Sequence, residues 1–314
     1  MEPAYLLGID GGGTRTTAWV ADLKLRVLGR GEGGPSNPLK AGFTPARREL
    51  LHAAEIALRQ AHIPGKALAG VCAGIAGVDR PAVQQPLLRW MRGALPAPAH
   101  LITSDAAITL QTALKKSAGV VVIAGTGSIA YGRTASGQPM RAGGWGSLFD
   151  DGGSGYQIAR QAVTAALRSH DGRGPSTRLN AALCKALKID EVTRVVLQPF
   201  SFAELAALFP VVLNVAAGGD AVARRILRDA AEELAGLALA LLKKGHWLGA
   251  PVPVVCTGGV FRSAPTIRRS FSRFVRLTAP KAKIRLMQRE PVEGALELAH
   301  EAFQLSAQRQ QRNV

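Results

Sequence analysis

Two different apolar patterns flank a run of glycines near the start of the chain. Residues 5–10 are almost continuously apolar, which predicts a buried strand, and residues 16–24 alternate apolar and polar side chains, which predicts a strand with one exposed face. The turn between them, residues 11–15, holds three glycines, a threonine and an arginine. The glycines therefore lie in a strand–turn–strand hairpin, whereas a dinucleotide fingerprint or a P-loop has them at the start of a helix.

Apolar periodicity predicts alternating helices and strands through the rest of the first half of the chain. Thr44 is the expected N-cap of a helix, and Asp105 stands where a strand becomes a helix. The glycine-rich stretch before Thr44 is expected to be a loop. The predicted segments are a loop at 29–43, helices at 44–63, 81–95 and from 105, and strands at 67–78 and 99–105. This β-β-α-β-α-β-α order predicts an α/β domain.

The opening hairpin pattern recurs at residues 119–133. When residues 9–14 are aligned with residues 123–128, the isoleucine, both flanking glycines and the hydroxyl residue coincide, while Asp10 is replaced by Ala124. We therefore predict an internal repeat and two lobes.

Beyond the repeat, the pattern is mainly helical. The predicted elements are helices at about 159–188, 201–217 and 220–245, a strand and glycine turn at 251–261, a strand at 283–288 and a final helix from 291.

Composition is that of a globular protein, with 47% apolar and 19% charged residues among 314. No uninterrupted apolar window of about 18 residues occurs, and the N-terminus lacks the basic segment of a signal peptide. We therefore expect a cytoplasmic protein without a membrane partner. Cys72, Cys184 and Cys256 are isolated from one another, which favours buried thiols over disulfides or metal ligands.

The net charge of +17 raises nucleic-acid binding as one interpretation. The basic residues are spread out, only 5% of residues are aromatic, and no aromatic–basic interleaving of the kind that stacks bases occurs. We therefore favour a solvated basic surface, or attraction of an anionic small substrate, and expect no nucleic-acid partner.

The glycine turns are suited to binding an anion. Without Cβ atoms, the backbone amides of Gly12 and Gly13 can approach phosphate oxygens, and Thr14 and Ser128 can each add a hydroxyl donor. Two such turns, one from each repeat, are expected to bind one polyphosphate from both sides.

Two aspartates are the candidates for chemistry. A carboxylate beside a triphosphate needs a cation, so we assign Asp10 to Mg²⁺, and Arg15 is a candidate for binding phosphate or for surface charge. Asp105 is either the N-cap of its helix or a general base that takes a proton from an attacking hydroxyl.

Five motifs in order, "GIDGGGTRT", "TSDAAI", "IAGTGSIA", "AGGWGSLFDDGGSGY" and "CTGGVF", carry a resemblance over nearly the whole chain. The chain resembles the N-acetylglucosamine kinase group of the BadF/BadG/BcrA/BcrD-type ATPase family, within the actin, hexokinase and Hsp70 superfamily. The resemblance implies an α/β fold of two ribonuclease-H-like (actin-like ATPase) lobes with nucleotide and sugar in a cleft between them. It also implies ATP and Mg²⁺ as cofactors, and a homodimer formed through the second lobe. The expected lobes are residues 1–116 together with a returning helix 292–314, and residues 117–291.

The resemblance also implies roles for individual residues. Asp10 orders Mg²⁺ and Asp105 is the base for the sugar hydroxyl. The implied nucleotide contacts are Thr14, the second phosphate loop Thr126, Gly127 and Ser128, and the adenosine turn Gly258 and Gly259. The implied sugar contacts are Asn37, Gly144, Trp145, Gly146 and Asp151.

Simpler interpretations stand beside three of these roles. Trp145 could cover a core edge, Asn37 could be only a turn former, and Gly258–Gly259 could be only a structural turn. The chain also departs from the family pattern at two places. Gly152 replaces the acid of the family's "GDEGS", with Asp150 as a candidate substitute, and Pro38 follows Asn37 where a polar side chain can occur.

The function expected from the residues and the resemblance together is ATP-dependent phosphorylation of N-acetylglucosamine at its C6 hydroxyl. Glucosamine and N-acetylmuramic acid are alternative substrates. Two alternatives belong to other classes: an ATPase activator for a 2-hydroxyacyl-CoA dehydratase or benzoyl-CoA reductase, which needs cysteines to hold an iron–sulfur cluster, and a nonenzymatic sugar sensor.

Overall fold

The computed structural model describes residues 4–312, with side chains to residue 309. The chain divides into two compact units. The first unit runs to Lys116 and takes in the chain again from Gln288, and the second unit is Ser117–Met287. The chain thus returns to the first unit slightly before the predicted residue 292, and the outermost limits of the predicted lobes, residues 1 and 314, lie outside the described residues.

The first unit is a five-stranded sheet with helices. Its strands are β1 (Tyr5–Gly11), β2 (Thr16–Asp22), β3 (Val27–Gly33), β4 (Leu68–Ile75) and β5 (Ala99–Thr103). Its helices are α1 (Pro38–Ala41), α2 (Phe43–Gln60), α3 (Pro81–Ala94), α4 (Asp105–Leu114) and, from the end of the chain, α12 (Pro291–Arg312), with a 3₁₀ turn at Gly65–Ala67.

The second unit is also built on five strands. They are β6 (Gly119–Ala124), β7 (Ser128–Arg133), β8 (Pro139–Gly143), β9 (Pro253–Thr257) and β10 (Lys283–Leu286). Its helices are α5 (Gly155–His170), α6 (Leu179–Leu187), α7 (Phe202–Ala206), α8 (Phe209–Ala217), α9 (Ala221–Lys244), α10 (Gly259–Ser263) and α11 (Pro265–Thr278), with a 3₁₀ segment at Val192–Leu197.

The two sheets have the same topology. The strand order is β3-β2-β1-β4-β5 in the first unit, and β8-β7-β6-β9-β10 is the same order in the second. In each sheet the central strand pairs antiparallel with the following hairpin strand and parallel with the strand on its other side. The internal repeat and the α/β class with two ribonuclease-H-like lobes are therefore confirmed.

Alternation along β1 divides the core of the first unit into two layers. Leu7 and Ile9 pack with α2 and α3, whereas Leu6 packs on the opposite face with Ile108 of α4 and Leu296 of α12. Since side chains two residues apart share a face, Asp10 faces the α4 and α12 layer. The second unit has one large core in which α5, α8, α9 and α11 take part.

The prediction of a loop over residues 29–43 is wrong at both ends, because β3 covers its start and α1 its end. The glycines that suggested a loop permit close packing against α2. A Cβ on Gly29 would lie 2.1 Å from the carbonyl oxygen of Ala57, and one on Gly31 would lie 2.1 Å from that of Ala53. These glycines allow the helix backbone to lie directly on the strand.

Other predicted elements also needed correction. The predicted helix at 159–188 is two helices separated by residues 171–178, where two glycines and a proline interrupt it. The predicted helix at 201–217 is likewise split into α7 and α8. Strand β8 was not predicted. Thr44 is not an N-cap: α2 begins at Phe43, and its N-cap Gly42 offers no side-chain bond.

Candidate functional site

Strand register places Asp10 and Asp105 at the same end of the first sheet. Asp10 pairs with Gly74 of β4, and Gly74 pairs with Thr103, the last residue of β5. Asp105 follows two residues later, at the first position of α4. Open α/β sheets bind ligands at the carboxyl ends of their parallel strands, and both aspartates lie there.

Ser104, not Asp105, is the N-cap of α4. Its side chain accepts a hydrogen bond from the Ala107 amide at 3.2 Å, while Asp105 Oδ1 accepts one from the adjacent Ala106 amide at 2.9 Å. The capping role that the sequence allowed for Asp105 is therefore filled by its neighbour. Asp105 remains a carboxylate at a helix N-terminus, where the helix dipole favours negative charge.

Burial raises the pKa of both carboxyls. The pKa of Asp10 is raised to about 7, first by burial and then by the charges of Asp105 and Glu290, with the Arg15 guanidinium acting in the opposite direction. The pKa of Asp105 is raised by burial and by Asp79, against the hydrogen bond from Ala106. Neighbouring carboxyls at one sheet end disfavour each other's ionised forms, so the arrangement is suited to a cation.

Sequence analysis missed Glu290 and Asp79. Glu290 immediately precedes α12, and Asp79 lies in the loop after β4, at the same sheet end as Asp105. The position of Asp79 after a buried strand was a usable signal. Glu290 gave none, because its proximity to Asp10 depends on the packing of α12, where a Cβ on Gly294 would lie 2.2 Å from the Ile108 carbonyl oxygen of α4.

The first glycine turn is open. The Gly12 amide donates to the Arg15 carbonyl at 2.9 Å, and the Gly12 carbonyl accepts from the Ser36 amide at 3.0 Å. Gly13, Thr14 and Arg15 are exposed. The Gly13 amide and the Thr14 hydroxyl thus belong to residues that a ligand can reach.

Asn37 is fixed beside this turn. Its Oδ1 accepts a hydrogen bond from the Leu39 amide at 3.0 Å and so caps α1, which leaves the NH₂ group to donate elsewhere. Pro38 occupies the first position of α1, where proline is favoured. The departure at Pro38 therefore serves local helix geometry. Asn37 does act as a turn former, but this role uses only its Oδ1, so the NH₂ group can still contact a sugar.

The second glycine turn is braced from two directions. The Gly125 carbonyl accepts from the Gly155 amide at 2.8 Å and the Thr126 carbonyl from the Tyr156 amide at 3.3 Å, which joins the turn to the start of α5. Ser128 is buried, and its hydroxyl donates to the Gly152 carbonyl at 2.7 Å.

Asp151 lies against the same turn. Its Oδ1 accepts a hydrogen bond from the Ser128 amide at 3.2 Å, and a Cβ on Gly127 would lie 3.1 Å from that oxygen. Gly152, the departure from the family pattern, lies against α9, because a Cβ there would lie 2.8 Å from Oε2 of Glu233. The carboxylate of Glu233 therefore lies beside residue 152, and the substitute role of Asp150 stays a prediction.

Gly258 fits where no other residue can. Its φ of +102° is in the left-handed region, and a Cβ would lie 2.1 Å from the Ala124 carbonyl oxygen at the end of β6. Gly258 therefore touches the strand that leads into the second turn. Gly259 has open space around it, as a ligand-contacting position requires.

The "GGWG" segment is a turn that exposes its tryptophan. Gly144 and Gly146 have φ of +72° and +97°, and the Asp150 amide donates to the Gly146 carbonyl at 2.8 Å. Trp145 is 68% exposed, so the interpretation that it covers a core edge is wrong. Its ring lies 4.9 Å from the Arg141 guanidinium, a cation–π contact that steadies an otherwise free side chain.

The residues fit Mg²⁺ held mainly by its nucleotide. No group of three potential metal ligands occurs among residues 4–312. Mg²⁺ is commonly bound through one or two carboxylates, with phosphates and water supplying the other ligands. Asp10 matches that pattern, because it is a partly buried aspartate whose ionised form is disfavoured by its acidic neighbours and would be favoured by a cation.

Within the described residues, no helix has the combination of length and apolar character needed to cross a membrane. Cys72 and Cys256 are buried, as expected, and Cys184 is partly buried. Burial raises the pKa of the Cys256 thiol to about 12 and also raises that of Cys72.

Comparison with known proteins identifies the class. The model of the BadF/BadG/BcrA/BcrD ATPase family matches residues 7–299, and the chain belongs to that family. The predicted membership, and with it the prediction of an ATP-dependent enzyme, is confirmed.

Individual relatives are named for amino sugars. The chain is 32% identical to the N-acetylmuramic acid/N-acetylglucosamine kinase of Clostridium acetobutylicum, over 94% of this chain and 98% of that one. It is 29% identical to the N-acetyl-D-glucosamine kinase of Dictyostelium discoideum, over 95% and 98% respectively. A crystal structure of a provisionally assigned N-acetylglucosamine kinase from Chromobacterium violaceum superimposes with a TM-score of 0.80, at 28% identity over 95% of this chain and 100% of that one.

Proposed function

We propose that this chain transfers the γ-phosphate of ATP to a hydroxyl of an amino sugar, with N-acetylglucosamine O6 as the first candidate acceptor. The observation that carries this proposal is that Asp10 and Asp105 lie together at the carboxyl end of the first sheet. There the charge of Asp105 raises the pKa of Asp10, and the charge of Asp79 raises the pKa of Asp105. Family membership and the names of the two relatives support the same class of reaction.

Asp10 and Asp105 have different tasks in this proposal. Asp10 would hold Mg²⁺, which when bound supplies positive charge against the phosphate oxygens. Asp105 takes the proton from the attacking sugar hydroxyl. Its raised pKa makes it a stronger base than an exposed aspartate once it is ionised.

Binding groups complete the proposed site. Gly13, Thr14 and Arg15 of the first turn and Thr126 and Gly127 of the second would bind phosphates, and Gly258 and Gly259 the adenosine. The Gly12 amide, predicted to bind phosphate, already donates to the Arg15 carbonyl. On the sugar side, Asn37 would donate through its NH₂ group and Trp145 would cover the ring from an exposed position. That both turns bind one nucleotide, in a cytoplasmic homodimer, remains a prediction.

Asp105→Asn tests the proposal. We expect kcat to fall by about 10³-fold or more, with ATP affinity and the free energy of unfolding nearly unchanged. The matched control is Ser104→Ala, which removes the helix cap and is expected to cost about 1 kcal/mol of stability while kcat is retained. Retained turnover in Asp105→Asn would overturn the assignment of Asp105 as the base.

The acceptor is found by measuring ADP release across hexosamines and locating the phosphate on the product by NMR. The Clostridium relative is named for both N-acetylmuramic acid and N-acetylglucosamine, so both belong in the first round with glucosamine. Phosphate at a position other than C6 would overturn the first candidate while leaving the kinase class intact.

The activator alternative is not favoured by the cysteine positions. A cluster shared between subunits needs exposed thiolates, whereas Cys72 is fully buried in β4 and Cys256 is buried in β9. A nonenzymatic sensor is also disfavoured, since binding alone gives no reason to place two carboxyls of raised pKa together.

A further inference from the structure

An arginine-lined groove lies along α11 in the second unit. It is a cavity of about 800 Å³ between α11 and the edge strand β10. Four of its lining residues are the α11 arginines Arg268, Arg269, Arg273 and Arg276, and no lining residue is acidic. None of them belongs to the proposed kinase site.

The sequence around this groove carries charge of one sign. From Leu234 to Gln288 the chain contains ten lysines and arginines and no aspartate or glutamate. Opposite charges normally intersperse on a surface, so a stretch of this length with one sign creates a positive potential that attracts anions. Part of the basic surface expected from the net charge thus lines this groove.

The groove arginines form a stripe on the exposed side of α11. Ile267, Phe271 and Val275 are buried on the opposite side, which fixes the rotation of the helix. Arg269, Arg273 and Arg276 follow at intervals of four and three residues, so they share one face and extend over about 10 Å. All three are exposed.

Apolar side chains form the floor of the groove. Ile284 and Leu286 of β10 are partly buried against the core, and buried Cys256 of β9 lies beside them. Arg268 is held in place at one end, since its guanidinium donates to the carbonyls of Phe261 and Arg262. The groove therefore combines a fixed end, an apolar base and a row of arginines facing solvent.

We propose that this groove binds a small molecule carrying two or more phosphate groups. Guanidinium groups match phosphate oxygens in pairs, and a stripe of about 10 Å exceeds the reach of one phosphate. The cavity volume is within the range of small-molecule sites. A nucleic acid is the less suitable occupant, because no aromatic side chain lines the groove for base stacking.

The test is binding of inorganic tripolyphosphate in the presence of EDTA, measured by calorimetry on the full chain. The triple variant Arg269→Gln, Arg273→Gln, Arg276→Gln is expected to lose affinity by at least about tenfold. The control, Arg59→Gln, Arg89→Gln, Arg92→Gln, removes the same charge from exposed positions of α2 and α3 and is expected to stay within about twofold.

Equal weakening in both triple variants would overturn the proposal, because it would show a general charge effect. Unchanged binding in the groove variant would overturn it too, by placing the polyphosphate at the glycine turns or elsewhere. A duplex DNA arm that binds more tightly than tripolyphosphate through the same arginines would replace a small molecule with a nucleic acid. The single variant Arg273→Gln, with an expected severalfold loss, keeps the test decisive if the triple variant does not fold.

Discussion

The two glycine turns are the same structural element used in two ways. Each follows the central strand of a sheet of identical order, and each leads into the antiparallel strand of a hairpin. Asp10 precedes the first turn, and fully buried Ala124 precedes the second. The two copies of the repeat thus share a backbone arrangement but differ in the side chain that precedes the turn.

The turns also differ in how they are held. Thr14 and Arg15 of the first turn face solvent, whereas Ser128 of the second is buried with its hydroxyl committed to the Gly152 carbonyl. The first turn is open and follows an aspartate on its own strand, whereas the second follows an alanine and is braced by α5 and by the Asp151 carboxyl group. The proposed function accordingly assigns the cation to the first turn and backbone donors to the second.

Removal of the carboxylate at the first turn should have the largest effect. Asp10→Asn keeps the shape but loses the charge, so we expect turnover to fall by about 10³-fold at saturating Mg²⁺ and ATP. Steady-state kinetics over a range of Mg²⁺ concentrations measures the effect. Glu32→Gln, which removes a carboxylate from an exposed position of β3 in the same sheet, is the control and should change kcat by less than about twofold. Equal losses in both variants would contradict a specific role for Asp10.

Much of this contrast was predictable from sequence. Glycines between a continuous and an alternating apolar segment indicate a hairpin turn, and the coincidence of residues 9–14 with 123–128 predicted the repeat. Asp105 was identifiable because a strand visibly ends there. Spacing alone could not decide whether Ser104 or Asp105 caps α4, because both residue types are good N-caps. Only the observed hydrogen bonds distinguish them.

Introduction of the missing carboxylate into the second turn should have the next largest effect. Ala124→Asp places a carboxyl in a fully buried position, and we expect a loss of about 3 kcal/mol in the free energy of unfolding. Chemical denaturation measures it. Ala135→Asp, the same change at an exposed position after β7, should cost less than about 0.5 kcal/mol. A stable Ala124→Asp protein would mean that the two turns are interchangeable.

The features that sequence could not supply all depend on distant packing. Gly29 and Gly31 suggested a loop, because nothing local reveals that the α2 backbone lies on them. Glu290 stands far from Asp10 in sequence and joins it only through the close approach of α12 to α4. A "GTGS" motif does not reveal whether the serine hydroxyl binds a ligand or bonds within the protein. For Ser128, its burial distinguishes the two roles.

The smallest expected effect concerns the two hydroxyls that sequence treated as equivalent. Ser128→Ala leaves the Gly152 carbonyl without its 2.7 Å partner, so we expect a loss of about 1–2 kcal/mol in stability and little change in nucleotide affinity. Thr14→Ala removes an exposed hydroxyl and should change stability by less than about 0.5 kcal/mol, while ATP affinity falls severalfold. Paired denaturation and ATP titrations separate the two outcomes. If instead Ser128→Ala weakened ATP binding at unchanged stability, its hydroxyl would be a phosphate donor, and the second turn would be as open to ligand as the first.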